Sequence, residues 1–336
     1  MIQLLKELCS VDGTSSREKK VADYIREACR DHAVSTDPLG NVIVSVKGKM
    51  PAKNKVMLCA HMDEVGVMAT HITADGLIKF ITVGGIRACV LAGRTVRFEN
   101  GTVGVIGIKP VHLCTPEEKT ALPETDTLTI DIGAKDKADA LQYVQPGDTA
   151  VFTSEFVTMG DKILSKAIDD RAGCAVMLDM IRSGVLYDTV FVFNVQEEVG
   201  LRGSGVSAFG VAPDYAIVLE GTTAADVADV SEEKRVCVLG KGAAVSFMDK
   251  ATVYDPALYK AALETAEQNG IAVQLKTMVA GGNDAGSIHK ARGGIRTVTL
   301  NVPTRYIHSA SCLCDKNDLF AVRALAEKLA ERFANE

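Results

Sequence analysis

"KVMLCAHMDEVG", residues 55–66, begins as an apolar run and ends in three ionisable side chains, His61, Asp63 and Glu64. An apolar run without alternation is typical of a strand that is buried on both faces of a parallel sheet. A buried strand needs a reason to end on three ionisable groups, because such groups are costly to bury. His61 and Asp63 are therefore either the polar end of the strand or the first half of a metal site.

Apolar strands and helical segments alternate in the first 67 residues and again after residue 161. The other strands include 42–46, 189–196 and 215–221, and the helical segments include 15–32, 171–184 and 255–270. The first helical segment begins with Ser15 and Glu18, which have the spacing of a capping box. Strands that alternate with helices predict an α/β fold, here a mostly parallel sheet covered by helices on both faces.

Residues 68–161 have a different pattern, with short β-rich runs separated by glycine, proline or Asn-Gly. Asn100 and Gly101 lie between two alternating runs, which is a strong signal for a β-hairpin. We predict a small all-β domain of barrel or sandwich type over 68–161. This domain is inserted into one α/β catalytic domain, which is built from residues 1–67 and 162–336.

Composition and charge exclude two classes of partner. Acidic residues outnumber basic ones by 43 to 37, and no lysine- or arginine-rich block interleaves with aromatics, so we expect no nucleic acid. No apolar stretch approaches the ~18 residues that span a bilayer, so we expect no membrane. Lys6 and Glu7 interrupt the first apolar stretch, which predicts an amphipathic helix rather than a signal peptide.

Most of the nine cysteines occur singly in apolar segments, as expected for reduced thiols in a cytoplasmic protein.

Ionisable side chains cluster where the predicted strands end, which is where open α/β sheets bind ligands. The clusters are His61 and Asp63; Asp169 and Asp170, before a helix; Glu197 and Glu198; Glu220; and Arg305, Tyr306 and His308. Imidazoles and carboxylates together are the donor set that suits Zn²⁺, Co²⁺ or Mn²⁺. So many carboxylates would repel one another without cations. Two metal ions that share one carboxylate remove this repulsion, and such pairs typically hydrolyse peptide or phosphate bonds.

Each of these residues also has a simpler interpretation. A histidine at a strand end is more often a surface residue than a ligand, and two aspartates before a helix are usually N-caps. Two adjacent glutamates on a strand point to opposite faces. The other histidines, which lack a comparable setting, are His32, His71, His112 and His289. The individual signals are weak, and it is their joint order that favours a metal site.

Four stretches carry a resemblance to a known family. They are AHMDEVG (60–66), AIDDRAG (167–173), VQEEVGLRGS (195–204) and RYIHSA (305–310), and GGNDAG (281–286) adds a fifth. In this order they resemble the dinuclear metal aminopeptidases, whose members are described as glutamyl, leucyl or deblocking aminopeptidases and build tetrahedral dodecameric shells. The resemblance covers essentially the whole chain.

The resemblance implies a role for each site residue. Asp169 bridges two ions; His61 and Glu220 complete the shell of one ion, and Glu198 and His308 that of the other; Glu197 is the general base, and Asp63 orients His61. The ions are Zn²⁺ or Co²⁺, and Mn²⁺ is also compatible. Where the family commonly has aspartate, this chain has Glu220, whose extra methylene requires the carboxylate to reach back or to coordinate differently. A cis peptide bond is expected between Asp169 and Asp170.

The resemblance also implies the reaction and the assembly. A water activated by the ions gives its proton to Glu197 and attacks the scissile carbonyl of a peptide with a free amino terminus. Residues 68–161 match the family's dimerisation domain, which implies a homo-oligomer from dimer to dodecamer. Open strand edges in that domain would themselves need a partner or a cap. The preferred N-terminal residue depends on the shape and charge of the pocket that receives its side chain.

Other classes of protein compete with this interpretation. A deacylase or a carboxypeptidase could use the same ligands, and only substrate profiling separates them. A glycosidase would need two carboxylates ~5–9.5 Å apart and would keep its activity in a chelator. A binding protein without activity would be favoured if Glu197 were replaced, and it is present. No G-x-S-x-G motif occurs, which argues against a serine hydrolase.

Overall fold

The structure, a computed structural model, describes residues 1–336 and is built on a mixed sheet of eleven strands. Nine strands follow one another as β1 (Ala33–Thr36), β2 (Val42–Val46), β12 (Thr189–Asn194), β3 (Val56–His61), β13 (Tyr215–Thr223), β16 (Arg296–Arg305), β17 (Cys312–Asp315), β11 (Lys162–Ser165) and β10 (Val157–Met159). Two more strands, β14 (Ala243–Ser246) and β15 (Val273–Lys276), extend the sheet from β16. The central strands β12, β3, β13 and β16 are parallel, as predicted, and antiparallel strands lie outside them.

Helices cover both faces of this sheet, which confirms the predicted fold class. They are α1 (Ile2–Ser10), α2 (Lys19–Ala28), α5 (Ile168–Ser183), α6 (Arg202–Val211), α7 (Pro256–Gln268), α8 (Ala285–Ile288) and α9 (Lys316–Asn335). Strand β3 shows the two layers directly: Leu58 packs in the core that contains α1, α5 and α9, whereas Met57 and Cys59 pack in the core that contains α8. None of the helices is both long and apolar enough to cross a membrane.

The start of α2 differs from the sequence prediction. The helix begins at Lys19 rather than near Ser15, and its N-cap residue Glu18 makes no side-chain capping bond. Ser15 instead donates a hydrogen bond to Asp63, 48 residues away. Glu18 accepts hydrogen bonds from the backbone of Ser16 and Gln196. The two residues therefore connect the N-terminal segment to other strand ends and do not form a capping box.

Six strands form a closed barrel between β3 and β10. Their order is β4 (Gly66–Ile72), β5 (Ile78–Val83), β8 (Thr129–Asp131), β7 (Val103–Gly107), β6 (Thr95–Phe98) and β9 (Thr149–Phe152), with the short helices α3 (Pro116–Thr120) and α4 (Lys137–Ala140) in the connections. Asn100 and Gly101 form the predicted hairpin turn between β6 and β7, and Gly101 has a φ of 94°. The barrel has its own core of 18 buried residues.

An ionic network that is buried at Glu64, Lys166 and Arg171 joins the barrel to the main sheet. Arg97 of β6 pairs with Asp12, with a closest contact of 2.8 Å. Lys166 contacts both Asp12, at 3.0 Å, and Glu64, at 2.8 Å. Arg171 of α5 lies against the same Glu64 at 3.4 Å. These pairs link the segment that enters the barrel after β3, at Glu64, to the segment that follows β11, at Lys166 and Arg171.

Candidate metal centre

The predicted site residues converge at the carboxyl ends of the parallel strands. His61 is the last residue of β3, and Glu220 lies in the second half of β13. Glu197 and Glu198 follow β12, and His308 follows β16. Asp169 enters the same space from the first turn of α5. The peptide bond between Asp169 and Asp170 is cis, as expected.

Asp169 lies between the two histidines. Its Oδ1 is 3.3 Å from Nε2 of His61, and its Oδ2 is 3.3 Å from Nε2 of His308. Glu220 Oε1 is 3.5 Å from Nε2 of His61, and Glu198 Oε2 is 3.2 Å from Nε2 of His308. Donors that share a tetrahedral ion at ~2.0–2.2 Å lie roughly 3.3–3.6 Å apart. The arrangement is therefore two nitrogen–oxygen triads that share one carboxylate.

The polar atoms at the centre of this cluster have the chemistry of metal ligands. Nε2 of His61, Oδ1 of Asp169 and Oε2 of Glu220 are buried and make no hydrogen bond. Buried polar atoms are rarely left without a partner unless something else binds them. All three can donate an electron pair to a cation. The residues present therefore fit a divalent ion, which His61 and Glu220 would hold together with Asp169.

Both histidines present Nε2 to the cluster because Nδ1 has another partner. Nδ1 of His308 donates a hydrogen bond of 3.1 Å to the carbonyl of Gly85. Nδ1 of His61 donates to the backbone carbonyl of Asp63 at 3.0 Å, and the Asp63 carboxylate is 3.3 Å away. Such outer partners fix the tautomer and the ring orientation of a ligating histidine. Gly85 gives no signal in the sequence, since it contributes only a backbone oxygen.

Burial and mutual repulsion raise the pKa of most carboxyl groups in the cluster. Burial raises the pKa of Glu197 well above its usual value, and the same holds for Glu220 and Asp170. Burial and the charge of Asp169 raise the pKa of Glu198 to about 8. Four neighbouring carboxyl groups thus favour their neutral forms when no cation is present. A divalent ion stabilises the ionised forms, so metal binding releases protons from such a site.

The pKa values of the two histidines also rise, whereas the pKa of Asp169 falls. Burial lowers the pKa of His61, but its contacts with Asp169 and Asp63 outweigh this and raise it well above the usual value. For His308, burial is likewise outweighed by Asp169, and the pKa rises to about 9. Burial would raise the pKa of Asp169, but the two histidines hold it well below its usual range.

Glycine is needed at position 221 because the backbone of β13 passes close to Asp169. A Cβ at Gly221 would lie 2.9 Å from Asp169 Oδ1 and 3.1 Å from its Cα. A carboxylate oxygen of the next residue, Asp170, also lies within 4.8 Å of potential ligand atoms of His61 and Glu220. Its carboxylate accepts hydrogen bonds from the backbone of Gly173, at 3.0 Å, and of His61, at 3.3 Å. Asp170 therefore acts on the backbone around the site.

Some residues of the predicted clusters lie elsewhere. Arg305 forms a two-pronged ion pair with Asp226, at 2.6 and 2.7 Å. Tyr306 is exposed, and neither residue lines the cavity above the metal-binding cluster. The other four histidines also lie outside it; they are His32, His71, His112 and His289.

A cavity of about 330 Å³ opens above the cluster. Glu197, Glu198, Glu220, Asp169 and His308 line one end of it. Glu197 Oε2 is 3.9 Å from Nε2 of His61, farther than Asp169 or Glu220. Its carboxylate is therefore beside the two triads and faces the space that a substrate would occupy.

Comparisons with known proteins agree with this geometry. A family model described as M42 glutamyl aminopeptidase matches residues 40–325. The lysyl aminopeptidase of Pyrococcus furiosus is 32% identical, over 98% of this chain and 96% of its own. The aminopeptidase APDkam598 of the archaeon Desulfurococcus kamchatkensis superposes with a TM-score of 0.93 at 34% identity, covering 98% of this chain and 94% of its own. A Pyrococcus horikoshii TET1 peptidase that can assemble into a tetrahedron or a large octahedral shell gives 0.85 at 33% identity, covering 98% of each chain.

Proposed function

The chain belongs to the M42 glutamyl aminopeptidase family and is a metal-dependent aminopeptidase, and we propose a role for each residue of its metal centre. Asp169 would be shared by two divalent ions. His61 and Glu220 would hold one ion, and His308 and Glu198 the other; Glu197 would be the general base, and Asp63 would orient His61. One observation carries this proposal: the two carboxylate oxygens of Asp169 are each 3.3 Å from Nε2 of a different histidine. An arrangement of this kind suits a bridging carboxylate.

Two bound divalent ions would supply acidified water and stabilisation of negative charge at the scissile carbonyl. Glu197 takes the proton of the attacking water on its carboxylate and returns it to the leaving amine. Its position supports this role, because the carboxylate lines the cavity and is farther from His61 than the proposed ligands. Burial raises the pKa of Glu197, which favours retention of the proton between the two transfers.

The substrate is a peptide with a free amino terminus. The acidic end of the cavity suits the α-ammonium group of the first residue, because it carries four carboxyl groups, of Asp169, Glu197, Glu198 and Glu220. Binding of that group would place the first peptide bond beside Glu197. The enzyme would then release one residue at a time from the amino terminus.

The ions are Zn²⁺ or Co²⁺, and Mn²⁺ also suits the site. The proposed ligands are two imidazoles and three carboxylates, a donor set without sulfur that these ions share. Cys174 is near the site, but its thiol donates to the backbone carbonyl of His61 and is not a ligand.

Residues 68–161 form the dimerisation domain, and dimers assemble into particles of up to twelve chains. The argument from open strand edges does not apply, because the barrel is closed and so has no edges. Support comes instead from apolar side chains that the barrel exposes. They are Ile81, Val103, Val105, Ile108, Val111, Leu113 and Leu122. Large exposed apolar surfaces mark association sites in soluble proteins, and the similar TET1 peptidase assembles into closed shells.

The assembly is tested by light scattering at micromolar concentration, where we expect at least a dimer. A double variant, Val111→Asp with Leu113→Asp, should lower the mass to that of a smaller species. Val253→Asp is the control, because Val253 is equally exposed but lies outside the barrel. A wild-type monomer would contradict the proposal.

The protein functions in the cytoplasm. All nine cysteines are free, and seven of them are buried. Free thiols are typical of a reducing compartment.

Hydrolysis of a panel of aminoacyl-anilides, with and without EDTA and then with metal added back, tests the activity. We expect hydrolysis that EDTA abolishes and that Zn²⁺, Co²⁺ or Mn²⁺ restores. N-acylated amino acids and peptides with a blocked amino terminus form the second arm. Hydrolysis of these substrates in preference to the anilides would favour a deacylase or a carboxypeptidase, and cleavage of a glycoside in the presence of EDTA would favour a glycosidase.

A further inference from the structure

The segment that follows β12 is held by side chains. The backbone N–H groups of four consecutive residues, 195–198, each donate a hydrogen bond to a side-chain oxygen. All of these oxygens belong to the amino-terminal part of the chain. The pairs are Val195 with Asn41, Gln196 with Glu18, and both Glu197 and Glu198 with Asp63. Because this segment carries the proposed base and a proposed metal ligand, the side chains that hold it are candidates for a role in the reaction.

Glu18 uses one carboxylate oxygen to bind two unusual backbone positions. Only 6% of this residue is exposed, and its side chain makes no capping bond to α2, although it occupies the N-cap position. Its Oε1 instead accepts the backbone N–H of Ser16, at 2.8 Å, and of Gln196, at 3.0 Å. Ser16 and Gln196 both have left-handed backbone, with φ of 70° and 57°. Residues with a side chain rarely adopt this conformation, so Glu18 stabilises two positions that need a partner.

The left-handed conformation of Gln196 determines where the next two side chains point. In an extended strand, adjacent residues point to opposite faces, yet Glu197 and Glu198 both line the cavity above the metal-binding cluster. A left-handed residue turns the chain out of the strand direction, which frees the two glutamates from this alternation. Such a conformation persists only where its surroundings over-determine it. Two hydrogen bonds do so here: Gln196 donates to Glu18, and its carbonyl accepts from the backbone of Arg202 at 3.1 Å.

The backbone matters for Glu197 in particular, because little else fixes its side chain. Its carboxylate makes no hydrogen bond, and the nearest basic nitrogen, Nε2 of His61, is 3.9 Å away. Glu198, in contrast, would be fixed by the ion that it binds. Glu18 itself does not line the cavity, so it can act on the reaction only through Gln196. Building on the proposed function, in which Glu197 is the base, we infer that Glu18 is a positioning residue that orients the carboxylate of Glu197 toward the attacking water.

Steady-state kinetics of the metal-loaded enzyme on one aminoacyl-anilide test this inference. A hydrogen bond to a charged group corresponds to about 10- to 100-fold in rate, and we expect Glu18→Ala to lower kcat by that factor. KM and metal content should stay near wild type. Glu18→Gln keeps an acceptor oxygen for both N–H groups and should restore most of kcat. Glu7→Ala is the matched control, because Glu7 is a carboxylate that joins α1 to α2 by accepting from Tyr24, and its loss should leave kcat unchanged.

The Glu197→Gln background separates positioning of the base from any other effect of Glu18. Substitutions that act through the same group are not additive, so Glu18→Ala should cost far less in Glu197→Gln than in the wild type. An equal loss in both backgrounds would overturn the inference, as would wild-type kcat for folded Glu18→Ala. Loss of metal in proportion to activity would also overturn it, because Glu18 would then support the ligand Glu198. So would a Glu18→Gln variant as slow as Glu18→Ala.

Two further measurements keep the inference decidable. If Glu18→Ala does not fold, Glu18→Asp takes its place, since it keeps the charge but draws the oxygen back by one methylene. Lower kcat at constant metal content then supports the inference, and wild-type kcat refutes it. Wild-type protein that hydrolyses no anilide, or full activity of Glu197→Gln, would count against the proposed function instead. Crystal structures of the wild type and the Glu18 variant would then decide whether Glu18 positions Glu197: a displaced Glu197 carboxylate beside a Gln196 that has left the left-handed region supports it, and an unchanged Gln196 refutes it.

Discussion

The backbone N–H of Glu197 donates a hydrogen bond of 3.0 Å to Oδ1 of Asp63. The same Oδ1 is 3.3 Å from Nδ1 of His61. The second oxygen, Oδ2, accepts from the Ser15 hydroxyl at 2.6 Å and from the backbone of Glu198 at 3.2 Å. Burial would raise the pKa of Asp63, but its contacts with His61 and Ser15 hold the pKa below the usual value, so the group is ionised. One carboxylate thus positions a proposed ligand, the proposed base and the segment that carries both glutamates.

Asp63→Asn should therefore weaken both metal binding and catalysis. An amide replaces one acceptor oxygen by a donor, so it cannot accept from His61 and from both backbone groups. Loss of such an outer partner typically costs 10- to 100-fold in metal affinity or activity. Metal affinity by competition with a chelator and kcat/KM on one anilide measure the effect. Ser15→Ala, which removes a single hydrogen bond to the same carboxylate, should have the smaller effect; wild-type values for Asp63→Asn would show that the backbone carbonyl alone orients His61.

Substitution of the two adjacent glutamates should have distinguishable effects. Glu197→Gln removes the proposed base and should lower kcat at least ~10²-fold, with metal content near wild type. Glu198→Gln removes a proposed ligand that lies 3.2 Å from Nε2 of His308, and it should lower metal content. Metal analysis after gel filtration, combined with kcat, separates the two. If Glu197→Gln lost metal and Glu198→Gln kept it, the two roles would be reversed.

Arg171 should be essential for stability. It is fully buried and donates to the backbone carbonyls of Met62 and Val11, both at 2.8 Å, and of Leu8. Arg171→Met would remove the donor of these carbonyls, whereas Glu64 would keep its contact with Lys166. We expect a loss of about 3–5 kcal/mol, because each buried acceptor left unsatisfied costs ~1–3 kcal/mol.

Urea unfolding in EDTA measures the loss, with Arg30→Met as the control. Arg30 forms a surface pair with Glu27, so its removal should change the free energy of unfolding by less than ~1 kcal/mol. A change of that size for Arg171→Met as well would mean that packing of the methionine compensates for the lost hydrogen bonds.

Asp318 should make stability depend on pH. Burial raises its pKa to about 6, against the effect of hydrogen bonds from the backbone of Gly240 and Gly242. In the unfolded chain the pKa is ~3.9, so the folded state binds this proton more tightly. The stabilisation is complete below about pH 4 and is lost as the pH rises through 6.

Asp318→Asn should accordingly gain in stability relative to wild type between pH 4 and pH 6.5, as measured by urea unfolding in EDTA. Asp75→Asn, at an exposed position, should show no such trend. A stability difference between wild type and Asp318→Asn that is constant over this range would contradict the assignment of the shift to Asp318.

Only two thiols should react in the folded protein. Cys89 is exposed and Cys114 is partly exposed, whereas the other seven cysteines are buried. Burial raises the pKa of the buried thiols, for example to about 11 for Cys9 and Cys29, so they form little thiolate at neutral pH. Titration with a chromogenic disulfide should count two thiols before unfolding and nine after it. Cys89→Ser should lower the first count to one, and fewer than nine thiols after unfolding would reveal a disulfide.

That the candidate site residues lie close together could be predicted from the sequence, because all of them lie at ends of apolar strands or at a helix start. The direction of a parallel strand is enough to bring His61, Glu220 and His308 to one edge of the sheet. Contacts that depend on the tertiary fold could not be predicted. Ser15 meets Asp63 across 48 residues, whereas its spacing from Glu18 predicts a capping box. The Gly85 carbonyl is a backbone group, so no side chain marks it in the sequence.

The burial of Lys276 and the closure of the barrel could not be predicted from the sequence either. One lysine in a strand is usually exposed, and only the positions of β14 and β16 show that this one is buried in the cavity. Short β-rich runs predict strands but do not determine whether the sheet closes. Closure follows from the pairing of β4 with β9, which are about 80 residues apart and carry no shared sequence pattern.

The Gly85 carbonyl belongs to the connection between β5 and β6 of the barrel, and yet it fixes the ring of His308. Any movement of that connection on association of two barrels would change the free energy of an ion held by His308. Thermodynamic reciprocity would then require that metal binding change the dissociation constant of the proposed dimer by the same factor. The concentration of available metal would in that case set the size of the particle as well as its activity, and dilution of the protein would release metal.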